Sequence, residues 1–141
     1  IFAGNASEVR NACQKYGRAL GIAFQIRDDM LGIWGDQDIT GKPVGADIRK
    51  RKKTLPIIHA FEHASGADRT SLRSMFSNVE EIPEVDRVMK ILDNAKSRQF
   101  TEDHMKLYLQ RASKILSDLP VNDWGRTNLN EVASFIVART K

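Results

Sequence analysis

Phe24-Gln25-Ile26-Arg27-Asp28-Asp29 decides how the chain is read. Two adjacent carboxylates sit inside an apolar pattern of helical period. Neighbouring anions repel, and burying one costs several kcal/mol or more unless something compensates it. A divalent cation is the usual compensation. On a helix Gln25, Asp28, Asp29 and Gly32 follow an i, i+3, i+4, i+7 spacing and share one face. Gly32 leaves room on that face for a bulky group. Downstream come Gly41-Lys42, Asp47 and the run Arg49-Lys50-Arg51-Lys52-Lys53. Carboxylates for a metal, then a basic loop, point to a metal-bound polyanion, and diphosphate is the natural candidate. The bland alternative is an exposed acidic pair near a helix end. Magnesium suits carboxylates, waters and phosphate oxygens, and usually takes one or two carboxylates per ion.

Outward from that stretch the pattern stays helical. A helix runs from Asn5 or Ser7, either a candidate N-cap, to about Gly32. Gly17 and Gly21, four apart on it, allow close approach of another helix. Residues 33–53 read as a loop, broken by Gly35, Gly41, Pro43 and Gly45. Thr54-Leu55-Pro56 opens a helix to about Ala64. Others are expected over 67–78, from Pro83 or Glu84 to Asn94, from Thr101 to Leu119, and over 126–139. The expectation is all-α, about six helices, over 1–141 as a single domain or a fragment. Trp34 is expected to pack at a helix end, and Trp124 to anchor the turn before the last helix.

The chain has 141 residues, 41% hydrophobic and 28% charged, with a net charge of +4. That is enough for a core, and no run approaches the ~20 apolar residues of a spanning helix. The single cysteine, Cys13, permits no internal disulfide, so a reducing, cytoplasmic setting is expected. The run at 49–53 has two other readings, a solvated basic turn or a nucleic-acid contact. It carries no interleaved aromatics and matches no groove-reading module, which disfavours nucleic acid. His59-Ala60-Phe61-Glu62-His63 has the spacing of a short zinc motif, but a zinc site needs a third ligand. The sequence opens on Ile1, not Met, and is expected to be a piece of something longer.

Phe24-Gln25-x-x-Asp28-Asp29, Gly35-Asp36, Thr40-Gly41-Lys42, Gly45-x-Asp47 and Lys52-Lys53-Thr54-Leu55-Pro56 occur in that order. Together they resemble the second aspartate-rich region of the trans-isoprenyl diphosphate synthases, the polyprenyl synthetase family that includes farnesyl and geranylgeranyl diphosphate synthases. The lead-in Tyr16-Gly17-Arg18-Ala19-Leu20-Gly21-x-Ala23 is similar to the family as well. The resemblance is sharp over 16–56 and loose over the rest.

It implies the C-terminal part of an all-α isoprenoid synthase fold. It also implies a magnesium-assisted prenyltransferase that condenses an allylic diphosphate with isopentenyl diphosphate. Carried over by residue, Asp28 is the first metal ligand and Asp29 the second. Lys42 and Lys52 contact the allylic diphosphate, Gln25 faces the reacting end of the prenyl chain, and Phe24 shapes the isopentenyl pocket. The family's usual third aspartate is Gly32 here, with Asp36 a candidate substitute. The first aspartate-rich motif is absent from the chain. The complete enzyme is expected to be a homodimer, or to be completed by a second chain carrying that motif, and the isolated chain to be inactive. A type I terpene cyclase and a non-catalytic prenyltransferase subunit are the alternative readings.

Overall fold

The computed structural model describes residues 6–41 and 43–138, without the side chains of residues 39, 40 and 136–138. The described residues form eight helices: α1 Ala6–Trp34, α2 Gln37–Thr40, α3 Ala46–Arg49, α4 Leu55–His63, α5 Gly66–Ser77, α6 Val85–Asn94, α7 Ser97–Asp118 and α8 Asp123–Ala138. None is long and apolar enough to cross a membrane. The chain divides into two compact units, Ile1–Arg27 with His104–Lys141, and Asp28–Asp103.

In the first unit Val9, Tyr16, Ala19 and Leu20 of α1 bury against Ala112 and Leu116 of α7 and against Leu119, with Leu129 and Ala133 of α8 packed alongside. These positions recur at three- and four-residue intervals, as an amphipathic helix requires. The Tyr16 hydroxyl donates to the Leu129 carbonyl at 2.5 Å, and burial pushes its pKa up. Arg126 donates to the carbonyls of Leu116 (2.5 Å) and Leu119 (3.0 Å). It thereby adds a charged donor to carbonyls at and just beyond the end of α7, which also accept from the Leu119 and Val121 amides.

In the second unit Ile33, Ile48, Ile57, Ala60, Leu72, Val88, Ile91 and Leu92 form the core, and Phe61 meets Phe76 edge to face at 5.5 Å. The expected boundaries hold for α4, α5 and α6. Pro56 sits in the first turn of α4, where its missing N–H costs nothing.

Several expectations are corrected. Residues 33–53 contain α2 and α3, because the loop glycines bound short helices there instead of breaking them. Asp36 caps α2 by accepting from the Asp38 amide at 2.9 Å, and Gly41 (φ 66°) ends it. Gly45 (φ 73°) starts α3, and a Cβ there would stand 2.4 Å from Val85. α7 begins at Ser97, four residues before Thr101, since Lys96 (φ 55°) makes the turn out of α6. α8 begins at Asp123, where Asn122 accepts from the Gly125 amide at 2.9 Å. Trp124 lies in that first turn and is 76% exposed, so it anchors nothing there. Trp34 packs at the end of α1 as expected, with the Arg98 guanidinium 5.5 Å from its ring centre. Ser7 lies inside α1 and does not cap it, while Asn5 falls outside the described residues. Nothing among the described residues comes within 4 Å of a Cβ placed at Gly17 or Gly21.

Leu92 is fully buried in the second unit's core. Leu92→Ala is expected to destabilise the protein by roughly 2–5 kcal/mol, through lost burial and a residual cavity. Denaturant titration of both proteins, followed by circular dichroism, measures the difference.

Candidate functional site

The last turns of α1 carry Asp28 and Asp29, and the chain then has to turn back on itself. Gly45 makes that return. Its amide donates to the Ile33 carbonyl at 3.0 Å, which ties the start of α3 to the end of α1. The tie lays Asp47 of α3 directly over Gly32. A Cβ at Gly32 would lie 2.1 Å from Asp47 Oδ2, so only glycine accommodates that carboxylate as it stands. The position where the family pattern has its third aspartate is therefore covered by a carboxylate from another helix. Asp36, the candidate substitute, caps α2.

Lys52 closes the cluster. Its ammonium lies 3.1 Å from Asp47, 3.3 Å from Asp29 and 3.7 Å from Asp28. Burial pulls the Lys52 pKa down, but hydrogen bonds to Asp47 and Asp29 and their charges outweigh it, so the net direction is up from 10.5. A raised lysine pKa contributes stability that is fully present below the unfolded value. The contribution is lost only as pH rises through the folded value, so the Lys52 contribution is present across the neutral range.

The two adjacent aspartates have different environments. Asp29 keeps only 11% of its side chain exposed and accepts from the Leu55 amide at 3.0 Å as well as from Lys52. Leu55 is the first residue of α4, and Thr54 makes no side-chain cap. Asp29 thus supplies the cap that the helix start lacks, from a different helix. The Asp28 side chain is 55% exposed, and among the described residues its ion-pair partner is Lys52. Asp28 is free to turn toward a ligand, whereas Asp29 is committed to the fold.

The basic run divides as well. Arg51 takes a left-handed backbone (φ 52°) and turns its guanidinium to the connection that follows α5. It donates to the carbonyls of Met75 (3.3 Å), Asn78 and Glu81, clasping the connection between α5 and α6. Charge-assisted bonds of this kind offset the ~1–2 kcal/mol of a left-handed residue. Arg49, Lys50 and Lys53 are exposed. Lys42 lies outside the described residues. Phe24 (41% exposed) and Gln25 (exposed) belong to the first unit.

Two features were not legible beforehand. Asp47 stands in a quoted block, but its place over Gly32 depends on how the chain returns. The capping of α4 by Asp29 leaves no local sequence signal. The zinc spacing has another use. His59 is buried, donates to or accepts from Ser97 Oγ at 3.0 Å, and stacks between His63 (4.2 Å) and Phe100 (4.0 Å). The two imidazoles stack face to face and do not converge on an ion.

Among the described residues no three of His, Cys, Asp and Glu form a ready-made cage for a metal. What Asp28, Asp29 and Asp47 surround is an ammonium. Carboxylate oxygens of this kind are the hard donors that magnesium prefers, commonly one or two per ion.

A family profile described as "Polyprenyl synthetase" matches residues 1–94. The geranylfarnesyl diphosphate synthase of Aeropyrum pernix is 35% identical, over 100% of this chain and 44% of its own length. The geranylgeranyl diphosphate synthase of Saccharolobus solfataricus is 37% identical, over 90% of this chain and 39% of its own. The crystal structure of geranylgeranyl pyrophosphate synthase from Corynebacterium glutamicum, complexed with isoprenyl diphosphate and magnesium, superposes with a TM-score of 0.82. That match has 30% identity and covers 92% of this chain and 37% of that one. The chain thus spans less than half the length of each.

The unequal roles of the two aspartates are expected to show in stability. Asp29→Ala removes the α4 cap and a near-buried ion-pair partner, for a loss of roughly 1–3 kcal/mol. Asp28→Ala removes one exposed pair at 3.7 Å and is expected to change stability by under about 1 kcal/mol. Thermal melts at neutral pH separate the two.

Proposed function

The chain belongs to the polyprenyl synthetase family, and from that premise we propose that it supplies the second aspartate-rich half of a magnesium-assisted trans-prenyltransferase site. The observation that carries the reading is the meeting of Asp28, Asp29 and Asp47 around one cation. Dense negative charge aimed at a single cationic centre, beside a basic segment, suits a metal-bound diphosphate better than a bare acidic surface does.

In the proposed reaction the C–O bond of an allylic diphosphate breaks, and its electron pair leaves with the diphosphate. The double bond of isopentenyl diphosphate attacks the resulting allylic cation to form a C–C bond. A proton then leaves, with the departed diphosphate as base. Bound Mg²⁺ would neutralise negative charge growing on the leaving group. Asp28, the exposed carboxylate, is the ligand that can turn to hold the ion. Asp29, held by the Leu55 amide, keeps the start of α4 against the end of α1 and would be the second ligand, directly or through water. Lys52 and Lys42 bind diphosphate oxygens, where their charge counts most in the transition state. Gln25 faces the reacting carbon, and Phe24 shapes the isopentenyl pocket.

The complete reaction calls for a second carboxylate cluster facing this one, supplied on the same polypeptide or by another chain. We propose a homodimeric, cytoplasmic enzyme, with these 141 residues alone inactive because one cluster cannot hold every metal around a diphosphate.

Asp28→Ala in the complete protein is expected to lower turnover by about two orders of magnitude or more, the usual scale for losing a charge-stabilising group. The assay is transfer of labelled isopentenyl diphosphate to a set of allylic diphosphates with Mg²⁺, alongside far-ultraviolet circular dichroism. Unchanged turnover would remove Asp28 from the metal site.

A further inference from the structure

We propose that Lys52 is a resident counter-ion of the Asp28, Asp29 and Asp47 carboxylates, so that a divalent cation bound among them has to displace its ammonium, and diphosphate then receives the displaced lysine. This rests on the metal–diphosphate reading above and adds an order and a coupling to it.

The cluster is already occupied by a cation. An ammonium 3.1 to 3.7 Å from three carboxylates uses the oxygens that a divalent ion would use. Two cations cannot share that point. Two of the carboxylates are nearly buried, at 11% and 12% side-chain exposure, and a third anion stands beside them. Such a group needs a cation at all times, because repulsion between poorly solvated charges is weakly screened. Lys52 meets that need from within the chain.

The lysine can also leave without disturbing the fold. Its backbone is fixed: the Lys52 amide donates to the Asp47 carbonyl at 2.9 Å, and its own carbonyl accepts from Thr54 at 3.0 Å. Arg51, the residue before it, is clasped to Met75, Asn78 and Glu81. The side chain by contrast is 42% exposed, on a flexible four-carbon stem. Once displaced, the ammonium swings about a fixed Cα and stays within a side chain's reach of whatever the carboxylates hold. A diphosphate bound to the metal is then its nearest strong anion. Metal and diphosphate therefore favour each other's binding, and by linkage the coupling is reciprocal. A lysine that contacts diphosphate alone would leave metal affinity unchanged.

The test titrates Mn²⁺ into the complete protein, reading free Mn²⁺ by electron paramagnetic resonance, with and without inorganic diphosphate. Lys52→Met is compared with wild type and with Lys53→Met, which removes the same charge from an exposed neighbour. Lys52→Met is expected to bind Mn²⁺ alone roughly tenfold tighter than wild type, and to lose most of the tightening that diphosphate gives the wild type. Lys53→Met is expected to behave like wild type. Unchanged or weaker Mn²⁺ binding by Lys52→Met overturns the proposal, as does equal tightening in both variants, which would reflect net charge alone. If Lys52→Met loses helical structure, added Mn²⁺ is expected to restore it, and failure to do so also overturns the proposal. Absence of Mn²⁺ binding by the wild type, with or without diphosphate, overturns the metal reading itself and is distinct from these outcomes.

Discussion

One cation held among three carboxylates organises the second compact unit. At 3–4 Å the attraction between opposite charges in a partly desolvated site is several times its value in water, and so is the repulsion between like ones. Asp28, Asp29 and Asp47 would drive their helices apart if nothing lay between them. With Lys52 in place they hold together the end of α1, α3 and the segment leading into α4. The Leu55 amide on Asp29 extends the arrangement into α4, and the Gly45 amide on Ile33 fixes the return that brings Asp47 into position. Gly32 is small because Asp47 needs the space, and Gly45 is glycine because of its positive φ and of Val85.

Charged residues that look alike in sequence take different tasks for this reason. Asp29 is largely a structural group and Asp28 an exposed one, though they are neighbours. Arg51 holds the connection between α5 and α6, while Lys52 turns to the carboxylates. A planar guanidinium can donate to several carbonyls at once, and a compact ammonium on a flexible stem can move between anions. The same site thus contains a fixed frame and a movable charge, a combination suited to binding a metal-bound polyanion. His59 belongs to packing: stacked on Phe100 and tied to Ser97, it braces α4 against the start of α7, with the exposed His63 stacked on its other face.

The long helices were legible because burial repeats with the helical period. Val9, Tyr16 and Leu20 of α1, and Ala112 and Leu116 of α7 with Leu119 just beyond it, recur at that spacing, and Pro56 marks a helix start. The acidic pair was legible because adjacent carboxylates in an apolar pattern demand compensation. What escaped reading depends on backbone torsion or long-range return. Four-residue helices such as α2 and α3 carry no period, and Gly41 and Gly45 read as breakers although they bound them. Lys96 adopts a positive φ without being glycine, so the start of α7 was set too late. A tryptophan next to a turn suggests an anchor, but residue type does not fix burial, and Trp124 is exposed. Asp36 was weighed for the vacant third-aspartate position because it is near in sequence, while Asp47 reaches Gly32 only through the Gly45 turn.

The central claim is that the carboxylates around Lys52 hold a metal for diphosphate. Anomalous diffraction from crystals of the complete protein grown with Mn²⁺ and diphosphate tests it most directly. The account predicts a manganese peak bonded to the Asp28 carboxylate, with the Lys52 ammonium moved from Asp28, Asp29 and Asp47 onto a diphosphate oxygen. Manganese located away from Asp28, with Lys52 still among the three carboxylates, would contradict it.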